Sequence, residues 1–207
     1  MGTRDADESS TVSGALSHTA DITIDVADNK TLTYSGTAIS LGANTLTLSG
    51  GGSLVSGGLT LDNASSKLLL NSIIVDNVST TSDSLGLDVD ADSTVTSLSV
   101  ANITPVAIAS GSSLSGGITV TAGSIKLNET GTLASTVAMS CGTLDADESL
   151  AVSGALTQAG DITVDVADNK TLTYSGGNLN VGSHTLSIGG AGIFSNATGS
   201  PLVLDVA

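Results

Sequence analysis

The stretch VADNKTLTYSG at residues 26–36 recurs without change at residues 166–176. Laying residues 5–52 over residues 145–192 needs no gap, and 30 of the 48 positions are identical, DADES and VSGAL among them. The chain therefore carries one unit over 5–144 and the start of a second over 145–207. Residues 1–4, Met-Gly-Thr-Arg, read as a cloning scar ahead of one continuous domain over 5–207. Self-similarity at a fixed period marks architectures in which each repeat packs only on its neighbours.

Within the repeated stretch, apolar residues alternate with polar ones on both sides of a tight polar corner. Val26, Leu32 and Tyr34 are the inward set, and Asp28, Asn29 and Lys30 make the corner. The same form, a short strand, a turn of Asp, Asn, Ala, Gly or Ser, and a second strand, recurs along the chain. Examples are ISLGANTLTLS, LTLDNASSKLLL, LDVDADSTVTSL, ITVTAGSIKLN and LNVGSHTLSI. Taken as equivalent, these segments give coils of about 20 residues, a length suited to stacked β-coils. They put Leu46 and Leu48, then Leu68 and Leu70, on top of the inward residues of VADNKTLTYSG, and they leave STTSDS at residues 79–84 as a polar insert.

Composition agrees with an all-β chain. Hydrophobic residues make up 40%, yet there is no Trp, one Phe and two Tyr, so the core is aliphatic. No segment carries apolar residues at helical spacing over several turns. Antiparallel hairpins would call for Asn-Gly or Asp-Gly loops at regular intervals, and neither dipeptide occurs. A chain that winds onward, laying each strand parallel on its predecessor about 4.8 Å away, accounts for both facts. The expected fold is a single-stranded parallel β-helix, a β-solenoid, of about nine or ten coils and about 45 Å in length.

This pattern of strand, polar corner, strand and Gly-x-Leu-x-x-Ser-Gly resembles the β-solenoid repeats of large bacterial surface proteins, of the autotransporter passenger and filamentous-haemagglutinin type. The resemblance implies a right-handed coil and an extracellular or cell-surface stalk without an activity of its own. The partners it implies are other repeats of the same parent protein, and a cell surface or glycan.

The formal charge of -15, from 5 basic and 20 acidic residues, opposes binding to nucleic acid or to anionic membranes. No apolar run reaches the ~18 residues of a membrane span. Clustered carboxylates suggest calcium, a cation that takes six to eight oxygen ligands. The candidates are Asp5, Asp7 and Glu8, their copies Asp145, Asp147 and Glu148, and Asp88, Asp90 and Asp92. Their spacing matches neither an EF-hand loop nor the nonapeptide of calcium-binding β-rolls. The reading of the acids as solvated turn residues, with no cofactor, is therefore the expectation, and calcium the alternative.

Two further readings, ice binding and catalysis, find less support. Thr31/Thr33, Thr45/Thr47, Thr94/Thr96, Thr171/Thr173 and Thr185/Ser187 would form an outward Thr-x-Thr column of the ice-binding kind, interrupted by Lys67/Leu69 and Ser124/Lys126. Sugar-cleaving enzymes on β-helices need basic and aromatic groups beside their carboxylates, whereas here Arg4 is the one arginine. His18 is matched by Gln158, and His184 by Asn44, so neither histidine is kept between copies. An enzyme is not expected. Cys141, alternating with Val137 and Met139, reads as a small core residue, and with no second cysteine it forms no internal disulfide. Asn-x-Ser/Thr sequons at Asn63, Asn77, Asn102, Asn128 and Asn196 read as turns.

Overall fold

The structure, a computed structural model, describes residues 2–14, 16, 18–197 and 202–203. Every described strand pairing is parallel, and there is no helix among the described residues. The strands stack in ten coils, so the chain is a β-solenoid. Face one holds ten strands: Gly2–Ala6, Ile22–Val26, Thr45–Ser49, Lys67–Asn71, Gly86–Val89, Ile103–Ile108, Ser124–Leu127, Thr143–Ala146, Ile162–Val166 and Leu186–Gly190. Each is followed on face two by a strand of the next sheet, from Ser10–Val12 and Thr31–Tyr34 through to Ile193–Asn196. A third face carries Ile39–Ser40, Leu59–Leu61, Thr136–Met139 and Leu156–Gln158. The long strands Ile74–Thr80, Ser93–Val100 and Ser113–Val120 run across faces two and three, the pairing of the last two shifting register between Val95 and Leu98.

Coil length is not constant. The step from Leu68 to its partner Leu87 is shorter than the step from Ile22 to its partner Leu46. The stacking absorbs this variation at the corners, because the inward columns run on regardless. One column on face one reads Ile22, Leu46, Leu68, Leu87, Val106, Leu127, Ala146, Val166, each in register with the next. Apart from Ile22 near the open end, all of these are buried. Each fully buried Leu contributes about 1.5 to 3 kcal/mol. Because the side chains come from successive coils, the core is a set of ladders running the length of the molecule.

Val26, Leu32 and Tyr34 point inward as the alternation predicts. Their stacking partners differ from the expectation. Leu46 and Leu48 lie on Ile22 and Ile24, while Leu32 lies on Leu54. The segments that look alike in sequence are two different corners. VADNK turns from face one to face two, with Asn29 and Asn169 left-handed at φ 61 and 58. LGAN and VGSH turn from face three to face one, with Gly42 and Gly182 at φ 54 and 58. Both corners put polar residues between two alternating strands, so pattern alone does not separate them.

Residues 79–84 are not an insert. Ser79 and Thr80 continue the strand Ile74–Thr80 and pair with Thr60 and Leu61 on one side and Ser99 and Val100 on the other. Thr80 is buried because its hydroxyl takes a hydrogen bond from the buried Thr104 hydroxyl at 3.2 Å and one from the Ala101 N–H. A polar pair that satisfies itself sits inside at little cost, which composition cannot reveal. Cys141 also departs from expectation. Val137 and Met139 are in the core, but Cys141 lies half-buried at the corner, and its thiol donates to the Thr121 carbonyl at 3.0 Å.

Candidate functional site

The repeated stretch meets one of the candidate acids, Glu8, where its corner contacts the coils on either side. At Val26–Lys30 the Lys30 N–H closes the turn on the Ala27 carbonyl at 3.0 Å. From the preceding coil, Glu8 pairs with Lys30 at 2.8 Å and the Ser9 hydroxyl accepts the Thr31 N–H at 3.0 Å. From the following coil, the Gly52 and Ser53 N–H groups donate to the Val26 and Lys30 carbonyls at 3.0 and 2.9 Å. A Cβ at Gly52 would lie 2.5 Å from the Ala27 carbonyl oxygen and 2.7 Å from that of Lys30, so no larger residue fits without a shift.

The second copy repeats this arrangement contact for contact. Lys170 pairs with Glu148 at 2.5 Å, the Thr171 N–H donates to Ser149, and Gly192 and Ile193 donate to Val166 and Lys170. The repeated block over 5–52 thus spans one corner together with the pieces of two neighbouring coils that grip it. VADNKTLTYSG is identical in both copies at a place where three coils constrain it at once.

Six of the nine candidate calcium ligands have carboxylates engaged in structural contacts. Glu8, Asp88, Asp145, Asp147 and Glu148 pair with lysines, at distances from 2.5 to 3.4 Å, and these pairs engage all four lysines of the chain. The Asp92 carboxylate accepts the Ser113 N–H at 2.8 Å and its hydroxyl at 2.9 Å, and the Asp90 backbone carbonyl accepts the Ser112 hydroxyl. Asp5 and Asp7 lie on the first coil, remote in sequence and in coil number from their copies. Among the described residues no three His, Cys, Asp or Glu side chains converge as a metal-binding group.

Electrostatics follow the same contacts. Lys30 holds the Glu8 carboxyl below its ordinary range. Burial pushes the Asp145 carboxyl up, Asp147 adds to this, and Lys126 opposes it. Lys126 is itself held up, chiefly by its hydrogen bond to Asp147. Solvent screens pairs that lie this near the surface, and ordering two long side chains offsets much of what attraction remains. They therefore add little to the stability of the fold.

Other aspartates, not singled out from sequence, do a more consistent job. Asp21, Asp83 and Asp161 accept backbone N–H groups of the next coil, from Thr45, Ile103 and Thr185, at 2.7 to 3.0 Å. Asp62 and Asp76 reach the coil before, accepting from Gly42 and Ser56 at 2.8 and 3.0 Å. Burial raises the Asp62 pKa, but hydrogen bonds from Ser40 and Gly42 outweigh it and leave the carboxyl below its usual value. These carboxylates satisfy corner N–H groups that fall outside the strand ladders. Their signal in the sequence is an Asp at the edge of a strand, as in DITI and DITV.

The remaining candidates do not converge. Thr31/Thr33 and Thr171/Thr173 lie on face two, with Thr94 and Thr96, whereas Thr45/Thr47 and Thr185/Ser187 belong to face one. The single Thr column is thus two partial ones. His18 and His184 lie on the first and ninth coils. One groove, ≈ 340 Å³, is bordered by Thr157, Gln158, Asn178, Asn180 and His184, a polar surface without an acidic, Lys or Arg side chain. A second, ≈ 230 Å³, is the open end of the first coil, bordered by Arg4, Leu16, Ile22, Ile24 and Tyr34, with the Arg4 guanidinium 5.8 Å from the Tyr34 ring centre. Comparisons with protein-family models, with curated proteins and with solved structures return no match, and the β-solenoid assignment rests on the strand topology itself.

Proposed function

We propose that this chain is a structural repeat segment of a long extracellular surface protein of the adhesin type, an elongated scaffold or stalk whose partners are further repeats and a cell surface or glycan. One observation carries this reading. The corner gripped by the first three coils is rebuilt by coils eight to ten, so the unit over 5–144 advances the stack by seven coils and returns to the same contacts. A unit that closes on itself in this way lengthens a rod without a new core. The engagement of the acids with lysines and backbone N–H groups favours this over calcium binding or catalysis.

The length test is direct. Chains with one, two and three units, viewed by negative-stain microscopy, should grow by about 34 Å per unit, seven coils at ~4.8 Å each. Compact particles of constant length would overturn the scaffold reading. For the cell-surface part, brief protease treatment of intact source cells should release peptides of this chain. Recovery of such peptides only after lysis would count against it.

A further inference from the structure

Unit two shows what covers a surface that unit one leaves open. Coil eight lies beneath coil seven, with Ile125 in register with Leu144, Leu133 with Val152 and Val137 with Leu156. There Val152, Leu156 and Ile162 are buried, while their copies, Val12 and Leu16 on the first coil and Ile22 at the start of the second, are half-exposed. The acids behave likewise. Asp145 and Asp147 both grip Lys126 of coil seven, whereas Asp5 and Asp7 meet no lysine among the described residues. Glycine gives the sharpest sign. A Cβ on Gly154 would collide with the Ser135 carbonyl of coil seven, but its copy Gly14 has nothing within 4 Å of that position. Gly14 is kept glycine at a place where its own coil exerts no demand.

We infer that the open face of the first coil is a docking surface for a coil of the sequence 124–144 carried by another copy of the unit. This names the partner of the scaffold proposed above and rests on that reading. The surface offers Val12, Leu16 and Ile22 as the apolar seat, Asp5 and Asp7 as the acceptor of a lysine in the place of Lys126, and Gly14 as clearance for a carbonyl in the place of Ser135. Seven positions over 4–22 depart from the second copy, at 4, 10, 11 and 17–20; the ones that bear on the fit are Arg4 for Leu144, Ser10 for Leu150 and Ala20 for Gly160. Ala20 matters for fit, since a Cβ on Gly160 would meet the Ser140 carbonyl.

The test joins residues 103–144 directly to residues 5–207, which restores Leu at the place of Arg4, and adds Ala20→Gly. A control joins residues 63–104 to the same chain with the same substitution. Phase is preserved in both, because Pro105 is in register with Lys126 and Lys126 with Asp145. Amide exchange in Ile22–Val26 and Ser10–Val12 should slow by about tenfold or more with the matched prefix relative to the control, as opening of the end coil is suppressed. Gly14→Ala should lower the melting temperature of the matched chain and leave that of the original unchanged. Equal protection by both prefixes, or equal tolerance of Gly14→Ala, would overturn the inference while leaving an extendable scaffold intact. Loss of β circular dichroism with the matched prefix would defeat both.

Discussion

Leu70→Ala is the substitution that most directly tests the ladder core. Residues 68–70 are three consecutive leucines in the strand Lys67–Asn71, of which Leu68 and Leu70 are fully buried and Leu69 faces outward. Leu70 lies between Leu48 of the coil before and Val89 of the coil after. Truncation removes about three carbon groups, ~2.4 kcal/mol at ~0.8 kcal/mol each. The space left is walled by two hydrogen-bonded coils that cannot close over it, which adds about 1 kcal/mol. The expected cost is about 3 to 4 kcal/mol, or a fall of roughly 10 °C in melting temperature for a chain of this size. Leu69 is in register with Thr47 and Asp88, and Leu69→Thr should change stability by no more than about 0.5 kcal/mol. Urea titration gives the totals, and amide exchange in Thr45–Ser49 and Gly86–Val89 shows whether the loss spreads from the coil that carries it. A cost below about 1 kcal/mol for Leu70→Ala, or an equal cost for Leu69→Thr, would refute the assignment of these leucines.

Further outcomes rest on the two copies. Tyr174 Oη accepts the Leu156 N–H at 3.2 Å, whereas Tyr34 Oη is buried without a partner among the described residues. Tyr174→Phe should therefore cost about 1 to 2 kcal/mol and Tyr34→Phe nothing, by thermal melting; equal effects would contradict the two environments. Burial raises the Tyr34 pKa, with Arg4 opposing, so the unfolded chain releases this proton first and stability falls as pH rises past about 10. Lys126, also raised, acts in the same direction. Melting curves from about pH 8 to 11 should show the fall, and Tyr34→Phe should flatten it. Gly52→Ala and Gly192→Ala should each destabilise by about 1 to 3 kcal/mol through collision with the corner beneath, and a neutral result at both would remove the steric account of the repeated stretch.

Much of the fold is legible in the sequence because alternation states which side chains of a strand share a face. Ile-Thr-Ile-Asp-Val and Thr-Leu-Thr-Tyr announce their inward sets, and the structure buries Ile24, Val26, Leu32 and Tyr34 accordingly. Leu68–Leu69–Leu70 carries no alternation of its own, but its place after a polar corner assigns Leu68 and Leu70 inward, and the structure buries both, in register with Leu46 and Leu48. The two corner types are hidden. A left-handed Asn between faces one and two and a left-handed Gly between faces three and one obey the same local rule. Which face follows is a matter of stacking.

The candidate site divides in the same way. The acidic clusters are plain in the sequence, but their lysine partners come from adjacent coils, as Lys67 and Asp88 show at 2.6 Å. Thr80 and Thr104 have the composition of surface residues, yet each buries the other's hydroxyl.

By itself, then, the amino-acid sequence determined a parallel β chain, the mean coil length and the period that separates the two copies, since these follow from local alternation and from identity between copies. Only the tertiary structure decided which face each strand joins, which carboxylate meets which lysine, and why Gly14 and Gly154 have unlike surroundings. Those outcomes depend on register between coils, a relation among residues a full coil apart that no local pattern encodes.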